Sequence, residues 1–252
     1  KIKKNKTDLI FRKIIKYKNI NRKKRILNQI MKQNIWSDKK IVKSFYSVPI
    51  KYKFLERKVM LNMPYIYGVS GADILNMNSA KYIKNLNDNL SMLINFFKNK
   101  EKNTNIDKEQ ILRKIYSLKK NTTVQFLKYL RQLENTIDDI PNDLKSTDCH
   151  GDLTLSNMII GYNIKNSMIE KNLNKSKIYL IDWLDSNFEI YYHDLCKLKQ
   201  DLFYGWSSRK KNINDKVYYS ITGKFIWEKL EKEFINKKNK KIFNFFIKLC
   251  IL

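Results

Sequence analysis

Two short apolar runs, "NMIIG" and "KIYLIDW", constrain this chain more than any other feature. Both read as strands, and both carry oxygen-bearing side chains at their ends. The first is entered through "CHGDLTLS", so Asp152 precedes Asn157 by five residues, and the second ends in Asp182. Adjoining strand ends would gather these three side chains. Hard oxygen ligands of this kind suit magnesium, which binds through one or two carboxylates and keeps its remaining positions for water and substrate phosphates. Asn157 and Asp182 would hold the metal, and Asp152 would orient a hydroxyl and accept its proton, the arrangement needed for phosphoryl transfer.

The ordered set "HGDLTLSN", "IYLIDW" and "YYHDLCKLKQDL" resembles the catalytic core of the aminoglycoside phosphotransferase and choline kinase family, relatives of the protein kinases. The kinase catalytic loop has the same interval from aspartate to asparagine, and "IDW" stands where kinases carry their metal-binding aspartate. The resemblance implies Asp152 as catalytic base and Asn157 and Asp182 as metal ligands. It makes His150 a structural residue of the loop and Asp194 its brace. It also implies ATP and Mg2+ as cofactors and a small-molecule hydroxyl acceptor.

Upstream, "FRKII" resembles the strand whose lysine holds the nucleotide phosphates, which makes Lys13 the candidate, with Arg12 beside it. Where the family has a glutamate to pair with that lysine, the following helix offers Gln29. No glycine-rich loop precedes Lys13, so the first strands of the small lobe are expected to lie before Lys1. "MPYIYG" sits where the family has its hinge, so the backbone of Pro64, Tyr65 and Ile66 would meet the adenine edge. Met63 and Tyr65 read equally well as core.

The fold implied is a two-lobed, protein-kinase-like α+β fold. Its small mixed nucleotide-binding lobe would span residues 1–66, and its larger, mainly helical catalytic and acceptor-binding lobe residues 67–252. Family members phosphorylate aminoglycosides, choline, ethanolamine and several sugars or amino alcohols. "LIDWLDSNFE" places Asp185 and Glu189 as acceptor-binding candidates. The lysine excess nevertheless ranks a neutral or anionic sugar-like acceptor ahead of a cationic one.

Periodicity supports this division. Residues 8–16 suit a strand with one wet face, and "NRKKRILNQIMKQN" puts Ile26, Leu27, Ile30 and Met31 on one helical stripe that Asn34 could end. Strand-like character resumes to Pro64, and Gly68 and Gly71 mark the change to amphipathic helices.

A net charge of +27 ordinarily suggests a polyanionic partner, yet only seven of the 51 basic residues are arginine, the residue that reads bases and phosphates bidentately. A solvated lysine-rich surface is the expectation, with no specific nucleic-acid partner. An RNA-binding module and an inactive kinase-like scaffold are the rival readings. Three cysteines are too few for a disulfide framework, which suggests a reducing, cytoplasmic setting. Cys149, His150, His193 and Cys196 have zinc-like spacing, but adjacent Cys149 and His150 would point to opposite faces of a strand. The C-terminal "IFNFFIKLCIL" is too short to span a bilayer and reads as a core helix.

Overall fold

The computed structural model describes residues 2–4, 9–37, 39, 41, 44–77, 79–120, 122–161, 163–165, 168–170, 177–184 and 189–251. They form two compact units, one of residues 1–86 with 155–185, the other of residues 87–154 with 186–252.

The first unit holds two four-stranded sheets. One orders β1 (Ile2–Lys4), β2 (Leu9–Lys16), β5 (Lys58–Pro64) and β4 (Lys51–Leu55), antiparallel throughout. Strand β5 alternates strictly, burying Val59, Leu61 and Met63, and α1 (Ile20–Ser37) sends Ile26 and Ile30 into the same core. The second sheet orders β3 (Phe45–Ser47), β12 (Ile178–Leu180), β9 (Met158–Gly161) and β6 (Gly68–Ser70), with β3 parallel to β12. β9 and β12 are therefore hydrogen-bonded neighbours, as their apolar sequences suggest. The Asn/Lys-rich insertion between them contains a hairpin of β10 (Asn163–Lys165) and β11 (Met168–Glu170). The four-residue helix α2 (Gly71–Ile74) follows β6 and is capped by Ser70, whose Oγ accepts from the Asp73 backbone at 3.2 Å.

Helix α1 departs from its sequence reading. It runs three residues past Asn34, Met31 is exposed, and the inner face is Ile26, Ile30, Gln33 and Trp36. Asn34 does not stop the helix because its amide is engaged elsewhere. Its Nδ2 donates to the Ile50 carbonyl at 2.9 Å and its Oδ1 accepts from the Ile50 N–H at 2.7 Å. A buried tryptophan one half-turn further on rewards the extra length.

The second unit is mainly helical. Helix α3 (Ala80–Lys98) runs into it and presents Leu90, Leu93, Ile94 and Phe97 to the core. The ribbon of β7 (Glu101–Asn105) and β8 (Lys145–Thr147) brackets α4 (Lys108–Lys119) and α5 (Val124–Asn135). Helix α6 (Tyr191–Leu202) is buried on nearly every side, between α7 (Ile213–Phe234) and α8 (Lys240–Ile251). The C-terminal apolar tract is α8, with Phe243, Phe245, Phe246 and Leu249 in the core. Among the described residues no helix is long and apolar enough to cross a membrane.

Candidate active site

Side chains two apart on a strand share a face, so β2 turns Phe11 and Lys13 toward a cavity of about 490 Å³ within the first unit. Arg12 faces the other way, its Nε donating to Asn62 Oδ1 at 2.9 Å. Met63, Pro64, Tyr65 and Ile66 form another wall of the cavity, and Val48, Ile159 and Ile181 complete its apolar lining. Gly68 also lines it. A Cβ there would stand 2.2 Å from the Ile160 carbonyl oxygen, so only glycine lets β6 lie against β9 at this point. Lys13 and Asp182 supply its charged groups, with hydroxyls from Ser70 and Ser156.

Lys13 Nζ donates to both Asp182 carboxylate oxygens, at 2.8 and 2.9 Å. Gln29 stands on α1 where a glutamate was expected, and the carboxylate that pairs with Lys13 comes instead from the end of β12. Asp182 has φ of 56°, the left-handed region that aspartate tolerates better than most residues. Its position is secured from behind. Trp183 is fully buried and stacks on Trp36 of α1 at 5.7 Å and 11°, and Lys32 donates to the Leu184 carbonyl at 3.0 Å. Asn157 closes a short 3-10 turn before β9, and its carbonyl accepts from the Ile181 N–H at 3.1 Å. Asn157 and Asp182 thus stand at adjoining strand ends, and their oxygens are the donor set that a hard divalent cation favours.

The Asp152 loop belongs to the second unit. Gly151 has φ of 89°, a conformation that a side chain would strain, and the loop turns there. Asp194, fully buried on α6, accepts from the His150 N–H at 2.6 Å and the Gly151 N–H at 2.8 Å. His150 is fully buried, and its Nδ1 accepts from the Asp152 N–H at 3.3 Å. The half-buried Asp152 carboxylate lies 3.3 Å from Lys197 Nζ, one turn along α6 from Asp194.

Asp185 lies outside the described residues. Glu189 is described, and its carboxylate takes a hydrogen bond from Lys102 at 3.0 Å, while Asp148 lies 3.1 Å from the same ammonium. Burial alone would push Lys102 down, but the hydrogen bonds and charges of Glu189 and Asp148 outweigh it and raise its pKa.

Sequence reasoning did not single out Lys197, Lys102 or the walls Phe11, Val48, Ile159 and Ile181. Lys197 had a signal, since it lies three residues after Asp194 on one helical face. The walls had none beyond hydrophobicity, because they come from four strands or strand ends. His193 is buried in the second unit's core against Cys149 and Cys250, and Cys196 lies beside Cys250. Among the described residues no group of three or more His, Cys, Asp or Glu is placed to hold a metal ion.

No family model and no curated protein matches the chain. Solved structures do. An apo thermostable mutant of aminoglycoside phosphotransferase APH(4)-Ia aligns with a TM-score of 0.63 at 8% identity, covering 98% of this chain and 78% of that one. APH(3'')-Id from Streptomyces rimosus, solved with ADP and streptomycin, aligns with a TM-score of 0.54 at 10% identity, over 96% of this chain and 86% of that one. A type VIII aminoglycoside-3'-phosphotransferase aligns with a TM-score of 0.52 at 12% identity, over 96% and 84%. The expected α+β class is therefore correct: this chain has the protein-kinase-like fold of the aminoglycoside phosphotransferases.

Proposed function

We propose that the chain is a small-molecule phosphotransferase that moves the γ-phosphate of ATP to a hydroxyl group of its acceptor. The observation that carries this reading is the cavity of the first unit, mostly apolar in its lining and with the Lys13–Asp182 pair among the residues that line it. A nucleotide needs those two halves, a flat apolar slot for the base and a cation with a metal-binding carboxylate for the phosphates. Of the three hinge residues, Pro64 has no N–H and that of Tyr65 is donated to the Leu9 carbonyl at 2.8 Å. Ile66 is thus the N–H donor for the adenine edge.

Mg2+ held by Asn157 and Asp182 would neutralise charge on the transferring phosphoryl group. Lys13 would leave Asp182 for the phosphate oxygens. Asp152, held by a loop that Asp194 and His150 brace, would orient the acceptor hydroxyl and accept its proton. Lys197 would hold the Asp152 carboxylate in place until the acceptor arrives. APH(4)-Ia has been crystallised with AMP-PNP and hygromycin B, and APH(3'')-Id with ADP and streptomycin, which supports a nucleotide and a hydroxylated acceptor here. The described carboxylates near the loop are paired, Asp152 with Lys197, and Glu189 and Asp148 with Lys102. A neutral or anionic sugar-like acceptor suits such surroundings better than a polycation.

Calorimetric titration of ATP into the chain, with and without Mg2+, tests the reading. Magnesium-dependent binding that Lys13→Met and Asp182→Asn both weaken is the expected result. No binding under either condition would overturn it.

A further inference from the structure

Helix α7 is apolar on two sides. Its inner arc buries Tyr219, Ile226, Trp227 and Leu230 against the second unit's core. Its outer arc carries Ile213, Val217, Ile221 and Phe225, four residues apart and advancing about 40° at each step, with Tyr218 beside them. All five are exposed, Ile213 by 78% and Ile221 by 66%. A helix apolar all round is normally buried all round. The turn before it adds two exposed aromatics, Tyr204 and Trp206, and Lys224 of α7 lies 5.6 Å from the ring of Phe203 in the same turn. Glu228 interrupts the arc after Phe225, so the unpartnered face is the first three turns of the helix with the aromatic turn beside it.

The charges around this face bear on its occupant. Lys224 and Lys229 border the arc, Lys229 lying over the Phe225 ring at 4.4 Å, and the acids Asp215 and Glu228 of the same helix offset them, so the positive excess comes from the preceding run Arg209, Lys210 and Lys211, where Arg209 lies over Trp206 at 3.2 Å. A second copy of the chain would bring another +27 charges against the first, and like charges of that size oppose self-association. Nucleic acid matches the charge but offers no apolar phase for Ile213, Val217 and Ile221. A bilayer rich in anionic lipid supplies both, acyl chains for the aliphatic residues and a negative surface for the lysines. Tyr204, Tyr218 and Trp206 have the apolar ring and polar edge that settle at headgroup depth.

We propose that the outer face of α7 with the Tyr204–Trp206 turn docks the chain on anionic membrane surfaces. The helix would lie in the plane of the interface and would not cross it. This rests on the second unit alone and stands or falls independently of the phosphotransferase reading.

The test is co-sedimentation of the full chain with vesicles of phosphatidylcholine alone or mixed with phosphatidylglycerol, together with quenching of tryptophan emission by brominated lipid. Trp36, Trp183 and Trp227 are buried and Trp206 is 41% exposed, so quenching reports Trp206. The unaltered chain is expected to sediment with the anionic vesicles and be quenched. I213D/I221D should weaken binding at least about tenfold and abolish quenching. Val124→Asp, at an exposed site on α5, should change neither. Failure to bind anionic vesicles would overturn the proposal. So would binding without quenching that high salt abolishes, because lysines alone would then account for it. Vesicle-independent capture by polyglutamate, lost in I213D/I221D, would overturn it in favour of an acidic protein partner.

Discussion

Asp152, Lys197 and Asp194 share a small volume of the second unit, and each makes a separate prediction. On the proposed mechanism, Asp152→Asn should lower transfer by about 10²–10⁴-fold while leaving ATP affinity near its original value, since the proposed general base is lost and the cavity is untouched. A rate within a factor of two of the original, by coupled assay, would take Asp152 out of the chemistry. Asp194→Ala leaves the His150 and Gly151 N–H groups without a buried acceptor, at about 1–3 kcal/mol each, so its cost should appear in both melting temperature and turnover. His193 offers a pH test. Burial would push it down, but the charge of Cys250 and hydrogen bonds with Cys149 and Cys250 raise it to about 10. Its stabilisation is therefore complete below its unfolded value of about 6.5 and is lost as pH rises through about 10. Cys250 is held well below an ordinary thiol, first by a hydrogen bond from Cys196 and, against burial, by His193. Its stabilisation runs the other way, present above the unfolded thiol value and lost as pH falls through its folded value. Just below the unfolded thiol value the two slopes oppose one another. Between about pH 9 and 10 only the His193 loss remains, so the melting temperature should fall more steeply there than in Cys250→Ala. Identical slopes in the two proteins would remove the charged pair from the core.

At the scale of elements, the position of Asp182 depends on how α1 and β12 are joined. Trp36 and Trp183 are the joint, and Trp36→Ala should destabilise the chain by about 3–5 kcal/mol, with ATP affinity falling more than a pure stability loss accounts for. Denaturant titration alongside calorimetry separates the two effects. The sequence located β2, α1, β5, β9, β12 and the helices after Gly71 because each carries the right period. It misplaced the end of α1, since the competing partner of Asn34 is the Ile50 backbone, sixteen residues away and invisible to local pattern. The two faces of α7 were also not read. An apolar residue at almost every turn position looks like a thoroughly buried helix until exposure distinguishes the arcs.

For the molecule as a whole, binding of Mg-ATP should raise the melting temperature by linkage, and the rise should vanish in Asp182→Asn. A persistent rise would place the metal elsewhere. The order of Asp152, Asn157, Asp182 and Asp194 along the chain was enough to name the fold, because spacing within one loop and one strand pair is local and survives in sequence. Carboxylates, amides and strand periods need no partner to be recognised. Long-range packing alone decided the rest. It brought Phe11, Ile66, Ile159 and Ile181 to one cavity and, by the facing of β2, put Lys13 in its lining and Arg12 against Asn62. It gave Lys13 a carboxylate partner 169 residues away where the neighbouring helix offered only Gln29. It also set Lys197 against Asp152. Hydrophobicity and charge are properties of single residues, whereas which of them meet is a property of the closed chain.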